Sequence, residues 1–418
     1  MGQNGAVLAF LLVVLVAPAS QPETPPTLHG RLRRLVAEAN QGRERPSTSS
    51  LTALLDTLAR GPFRDHLAGG FLRSAIESPP RAPHPHYEKR LCDNALLIRA
   101  YAKVFARTEN LLYRDVTRET ATWAIRELRE PEGAFLASVR APAEGTSSRY
   151  YLWTREEVSA ALGQDRGVQF LATYGIEPPG LLTLTGSPFA GLGPSREVLQ
   201  VRRGRRVRPG VDDRVVAGWN GLMIGALATS GSLLKRGADL EAGRRAADAV
   251  VRRLGPAKAL KHEASGAGTP AGLQDHAFLA EGLLDLYEAT GEARWQNEAV
   301  GLTEAAVTRL WAVGSGGFYE DEAAASGAPR LKTARDSDLP SANAVMASVF
   351  GRLATLTGQE RYRRLAVKTV EAFKDELRRD PDATQALAAA AALLSAAASP
   401  SPPAETHPEG PGASSGTR

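Results

Sequence analysis

The stretch DNALLIRAYAKVFARTENLLY, Asp93 to Tyr113, aligns without a gap on DHAFLAEGLLDLYEATGEARW, Asp275 to Trp295. In both, an Asp precedes a polar residue and an apolar run of helical period follows. Thr108 or Thr290 ends the run, and an aromatic residue, Tyr113 or Trp295, stands five residues further on. ANAVMASVFGRLATLTGQERY is a third copy with Asn343, Thr357 and Tyr362 at the same spacing. WNGLMIGALATSGSLLKRGAD is a fourth, which keeps Trp219-Asn220 and the apolar run but loses the ending. Self-similarity of this kind identifies an architecture that local patterns cannot. Each copy reads as an apolar helix, a tight turn and the start of a more polar helix such as WQNEAVGLTEAAVTRLW.

A helix that is apolar almost all round must be buried on all sides, whereas its amphipathic neighbour faces water. Alternation of the two types predicts concentric rings, with inner helices packed around an axis and outer helices covering them. The expected fold is therefore all-α, an (α/α)6 toroid of helical hairpins over residues 51–395. GGF at Gly69 to Phe71, GAF at Gly133 to Phe135 and GGF at Gly316 to Phe318 read as loops that return across one end of it.

Composition narrows the function classes. The 418 residues carry 51 Lys and Arg against 46 Asp and Glu, and 43% are hydrophobic. This is ordinary globular chemistry. A net charge of +5 over that length, without a recognisable nucleic-acid-binding motif, does not favour nucleic acid as a partner. Cys92 is the single cysteine, which excludes an intramolecular disulfide, a Cys-x-x-Cys redox pair and thiolate zinc. No cofactor is expected, and the histidines lack metal-site spacing, so no metal is expected either. The Arg-rich run RRGRRVR, Arg202 to Arg208, reads as a solvated loop before a phosphate patch.

At the amino terminus AVLAFLLVVLVA, Ala6 to Ala17, is too short for a membrane span and is followed by Ala17-Pro18-Ala19, a small-x-small junction. Residues 1–19 are expected to be a signal peptide, which makes the mature chain secreted or periplasmic, with no stable membrane insertion after cleavage. Residues 20–50 read as leader and linker. Residues 396–418, rich in Pro, Gly and Ser, read as a disordered tail.

PHYEKRLCDNALLIRAY, Pro85 to Tyr101, resembles the PHFEKMLYDNA pattern of the thioredoxin-domain-containing family related to spermatogenesis-associated protein 20. RPGVDDRVVAGWNGLMIGAL (Arg208 to Leu227), LQDHAFLAEGLLDLYEATGEARW and KTARDSDLPSANAVM (Lys332 to Met346) are similar to three further motifs of that family, in order. The resemblance implies a six-hairpin glycosidase-like toroid and covers most of residues 50–375. Three departures qualify what it implies for chemistry. The family's amino-terminal thioredoxin-like domain is expected to be replaced here by the signal peptide. Arg140 and Pro142 stand where the family has two acidic residues, and GGFLRSAIESPP lacks the family's Tyr, Asp and Trp.

The open end of such a ring, where inner helices start, is the expected ligand site. Glu88, Asp93, Asp275 and Asp336 fall at or just before inner-helix starts and are the candidate catalytic carboxylates, since glycoside hydrolysis uses an acid and a base or nucleophile across the bond. His86 and His276 are the imidazole candidates for epimerisation. Lys89, Asn94, Trp219, Asn220, Ser341 and Asn343 complete the set as substrate-binding candidates. Asp93 and Asp275 read first as helix caps, and the recurrent asparagines as a shared structural device. Two functions remain open: a carbohydrate-active protein of hydrolase or epimerase type with a carbohydrate or small-molecule ligand, or a non-catalytic binding or scaffold module descended from one.

Overall fold

A computed structural model describes residues 48–73, 87–141, 148–188, 191–264, 268–322 and 329–398. The expected signal peptide, nearly all of the leader, the tail beyond residue 398 and His86 lie outside them.

Inner helices are α2 (Leu91–Thr108), α7 (Ala217–Leu233), α9 (Leu273–Thr290), α11 (Ala342–Thr357) and α14 (Gln385–Ala398). They pack side by side in that order. Outer helices α1 (Thr48–Arg60), α3 (Leu111–Glu127), α8 (Gly237–Leu254), α10 (Ala293–Leu310) and α12 (Glu360–Ala372) each precede the next inner helix in the chain. The architecture is of the (α/α)6 toroid type, and the described residues lay down five of its outer–inner pairs. α7 is buried on nearly every side, whereas α8 and α12 keep charged outward faces.

The repeat has a physical meaning at each of its positions. The Thr at the end of the inner helix donates its hydroxyl to a carbonyl one turn back and accepts the amide two residues on. Thr108, Thr290 and Thr357 make the same pair of bonds, the second at 3.3 Å in each. The next residue, Glu109, Gly291 or Gly358, turns the chain in the left-handed region, the usual way of ending a helix. The outer-helix aromatics fill the interlayer space. Phe71, Tyr101 and Tyr113 form one column of rings, and Phe318, Phe350 and Tyr362 form its counterpart.

The Gly-Gly-Phe-type loops follow the outer helices α1, α3 and α10 on the way to the next inner helix. Gly70 and Gly317 have φ of +77° and +68°, and a β-carbon at either would come within 2.8 Å of the Trp123 or Phe373 ring. Only glycine combines that backbone with that approach. Inside the ring α7 and α9 cross backbone to backbone, where a β-carbon on Gly282 would lie 2.0 Å from the Gly221 carbonyl oxygen.

Short strands decorate this all-α frame. β1 (Lys89–Arg90), β2 (Ser138–Val139) and β5 (Val211–Asp212) form an antiparallel sheet ordered β1-β2-β5. Between α3 and α7 an insertion carries α4 (Arg155–Leu162), α5 (Gln164–Thr173), the hairpin β3 (Tyr174–Glu177) and β4 (Leu181–Leu184), and α6 (Gly193–Arg203). The helix α13 (Lys374–Arg379) bridges α12 to α14. Among the described residues no helix is long and apolar enough to cross a membrane.

Candidate functional site

The inner helices present their N-termini at one end of the ring. Asp93, Trp219, Asp275 and Asn343 all stand in the first turns of their helices, as the repeat predicts. What these residues do there differs from the expectation in several places.

The asparagines are clamps. Asn94 accepts the Phe71 amide at 2.7 Å and donates to the Phe71 carbonyl and to Arg90. Asn220 holds both backbone groups of Phe135 in the same way, and Asn343 those of Phe318. All three are wholly buried. Each pins the Phe of a Gly-Gly-Phe-type loop to an inner helix, so none is placed to bind a ligand. The copy that begins at Asp275 has His276 in this slot, and no such loop precedes α9. His276 is likewise wholly buried, and burial pushes it down to about 4. An imidazole there is neutral and shielded, which removes it from proton transfer with a ligand.

Lys89 also points away from the mouth. Its ammonium donates to Asp65 at 2.7 Å and to the Gly69 carbonyl, and Arg203 from α6 meets the same carboxylate at 2.8 Å. Burial lowers the Lys89 pKa to about 8, while the two cations hold Asp65 far below the usual carboxylate range against its own burial. The triad ties the insertion to the ring.

The four candidate carboxylates separate. Asp93 and Asp275 both lie at the third helical position, after Arg90 and Gly272 at the N-caps, and Asp275 reaches back from there to cap its helix. Asp275 accepts the amides of Gly272 at 3.1 Å and of Gly218, in the neighbouring α7, at 3.0 Å. Asp93 pairs with Arg90 at 3.3 Å and accepts from the buried Cys92 thiol. Asp336 takes the Ser341 and Ala386 amides, which makes it a brace between the loop before α11 and the start of α14. Ser341 is the N-cap of α11. Glu88 accepts from the Ser138 hydroxyl at 2.8 Å. The partly buried Trp219 has the Arg90 guanidinium over its ring at 5.1 Å.

Two groups at this end carry no signal in the repeat. His262 lies in the loop before α9, pinned by its backbone to Ala217 and Thr269, and its Nδ1 meets Asp275 Oδ2 at 2.8 Å. Its side chain is 38% exposed. The Asp275 bond raises the His262 pKa above its ordinary 6.5 despite partial burial. Asp275 is thus a carboxylate fixed by two backbone amides that orients a half-exposed imidazole. Glu320, on the other flank of α9, accepts the first amide of that helix, Leu273, at its carbonyl. Burial, followed by the adjacent Asp321, raises its carboxyl to about 7. Within the sequence, His262 in ALKHEAS and Glu320 in FYEDE are ordinary loop residues; only the folded neighbourhood distinguishes them. Among the described residues there is no group of three or more His, Cys, Asp or Glu able to hold a metal ion.

No family model matches the chain. It is 28% identical over 393 residues to spermatogenesis-associated protein 20 of Homo sapiens, covering 78% of this chain and 49% of that protein. It is 22% identical over 410 residues to an uncharacterised protein of Caenorhabditis elegans, covering 85% and 56%. The chain therefore spans about half the length of the curated relatives it matches. Among solved structures it is similar to the cellobiose 2-epimerase of Bacillus thermoamylovorans, with a TM-score of 0.51, 9% identity, and coverage of 78% of this chain and 72% of that one. At that identity the likeness concerns the fold alone. The chain is similar to spermatogenesis-associated protein 20 over most of its length and has the (α/α)6 toroid fold.

Proposed function

We propose that the protein binds a carbohydrate at the inner-helix N-terminal end of its ring, and that His262, oriented by Asp275, is the proton-transfer group of that site. The observation that carries the reading is the pair of titratable groups flanking the start of α9. His262 gains basicity from Asp275, and Glu320 keeps its proton near neutrality. Acid–base catalysis works best with groups of such pKa, and sugar epimerisation needs one group to remove a proton and one to return it. The fold shared with a cellobiose epimerase supports a sugar as the ligand class. Export with loss of residues 1–19 belongs to the same reading, and sequencing the amino terminus of secreted material tests it.

A second reading is favoured by the carboxylates. Asp275 and Asp336 spend their oxygens on backbone amides and Asp93 is paired with Arg90, which suits sugar binding without turnover. A panel of mono- and disaccharides decides between them, scored by calorimetric binding, by reducing-sugar release and by deuterium uptake from heavy water. Turnover that His262→Gln or Glu320→Gln abolishes supports catalysis; binding without turnover supports the second reading. If no sugar binds, both fail.

A further inference from the structure

The mouth of the ring is spanned by one ionic strap. Asp338, in the loop leading into α11, meets Arg73, which follows the first Gly-Gly-Phe loop, and lies 3.5 Å from Arg90, at the start of α2. α2 and α11 are not neighbours: α7 and α9 stand between them in the described arc. The contact joins residues 265 positions apart in the chain. Arg90 is the pivot. Its side chain is 11% exposed, it lies over Trp219, it also pairs with Asp93, and its buried Nε has no hydrogen-bond partner among the described residues.

A carboxylate held between two guanidinium groups at a ligand entrance occupies the place an anionic ligand would take, because guanidinium recognises carboxylate and phosphate through the same planar fork. We infer that Asp338 stands in for the anionic group of the ligand, and that the sugar this site takes carries an acid group, which displaces Asp338 from Arg73 and Arg90. The inference rests on the sugar-binding reading above and names its substrate class. The strap is suited to exchange: Asp338 is 38% exposed and sits on a loop, so its bond to the arginines is weak enough for a ligand to replace. Arg90, partly buried and held by Asp93 and Trp219, stays in place to receive the incoming charge. The bound sugar then lies within reach of Trp219.

Competition between Asp338 and ligand makes a specific demand. Deleting the internal competitor must strengthen binding of an acidic sugar and leave a neutral one unchanged, whereas deleting either of the two cations that hold Asp338 must weaken the acidic sugar only. The experiment titrates glucose, glucuronic acid and glucose 6-phosphate into the whole chain, its Asp338→Ala and Asp338→Asn forms, and Arg73→Gln, with thermal melts to show that each variant is folded. Glucuronic acid, glucose 6-phosphate or both should bind the wild type more tightly than glucose does. Both Asp338 variants should bind the acidic sugar about fivefold tighter, the scale of a partly exposed ion pair, and Arg73→Gln should lose the preference. Preference for glucuronic acid assigns a carboxylate, and preference for the phosphate ester a phosphate. Equal binding of neutral and acidic sugars overturns the inference and leaves the sugar-binding reading intact. So does weaker acidic-sugar binding in both Asp338 variants. Absence of binding by every sugar sinks both.

Discussion

Asn220→Ala separates a clamp from a ligand contact. The Asn220 carboxamide accepts the Phe135 amide at 2.8 Å and donates to the Phe135 carbonyl at 2.9 Å, and Phe135 is wholly buried. Alanine leaves both backbone groups without these partners in a site closed to water. The Val216 carbonyl, which Asn220 also reaches, keeps the Asn220 amide and does not add to the cost. An orphaned buried polar group costs about 1–3 kcal/mol, so two cost about 2–6 kcal/mol, a large share of a typical folding stability of about 5–15 kcal/mol. The assay is urea unfolding followed by far-UV circular dichroism, with sugar binding measured on the folded fraction. The clamp account expects the full stability loss and unaltered affinity per folded molecule. A stability change below about 1 kcal/mol, or lost affinity in a fully folded variant, would refute it and return Asn220 to the ligand site.

Three further expectations follow from the same geometry. Gly282→Ala pushes a β-carbon to 2.0 Å from the Gly221 carbonyl oxygen, and helix backbones cannot yield that far, so a loss of at least about 1–3 kcal/mol should appear in urea melts; a neutral variant would mean that α7 and α9 are not in backbone contact. Asp65→Asn leaves Lys89 and Arg203 buried without their carboxylate and should cost about 3–5 kcal/mol, with the insertion between α3 and α7 becoming the first region to lose hydrogen-exchange protection; a loss confined to the ring helices would contradict the triad's role. For Glu320 the sign runs against the usual carboxylate: its folded pKa of about 7 lies above the ordinary 4.5, so the folded state holds the extra proton and stability declines as pH rises from 4.5 to 7. Melting curves of Glu320→Gln should lack that part of the decline, and an identical pH profile in variant and wild type would show that Glu320 titrates normally.

Much of the fold was legible because the repeat is built from local chemistry. Thr108, Thr290 and Thr357 close their turns with bonds inside a few residues, and such bonds leave a fixed spacing in the sequence. The clamps were half legible. Recurrence marks Asn94, Asn220 and Asn343 as a shared device, but their partners Phe71, Phe135 and Phe318 lie 23, 85 and 25 residues away, and no periodicity links positions so variably separated. The site was the least legible part. His262 acquires its role from Asp275, which in turn is held by Gly218 from another helix. Lys89 sits beside Glu88 in the chain, yet the extended backbone entering β1 sends successive side chains to opposite faces. Glu88 reaches Ser138 while Lys89 enters the buried triad. Within KTARDSDLPSANAVM the resemblance picks out Asp336 rather than Asp338, because spacing cannot tell a brace of backbone amides from a strap across the mouth.

The imidazole of His262 tests the central claim most directly. Its ring-proton resonance, assigned by comparison with His262→Gln and followed by NMR across pH with and without sugar, should titrate above 6.5, fall in Asp275→Asn, and shift when a sugar that binds is added. A resonance that titrates as a free imidazole and does not respond to a bound sugar would contradict the account.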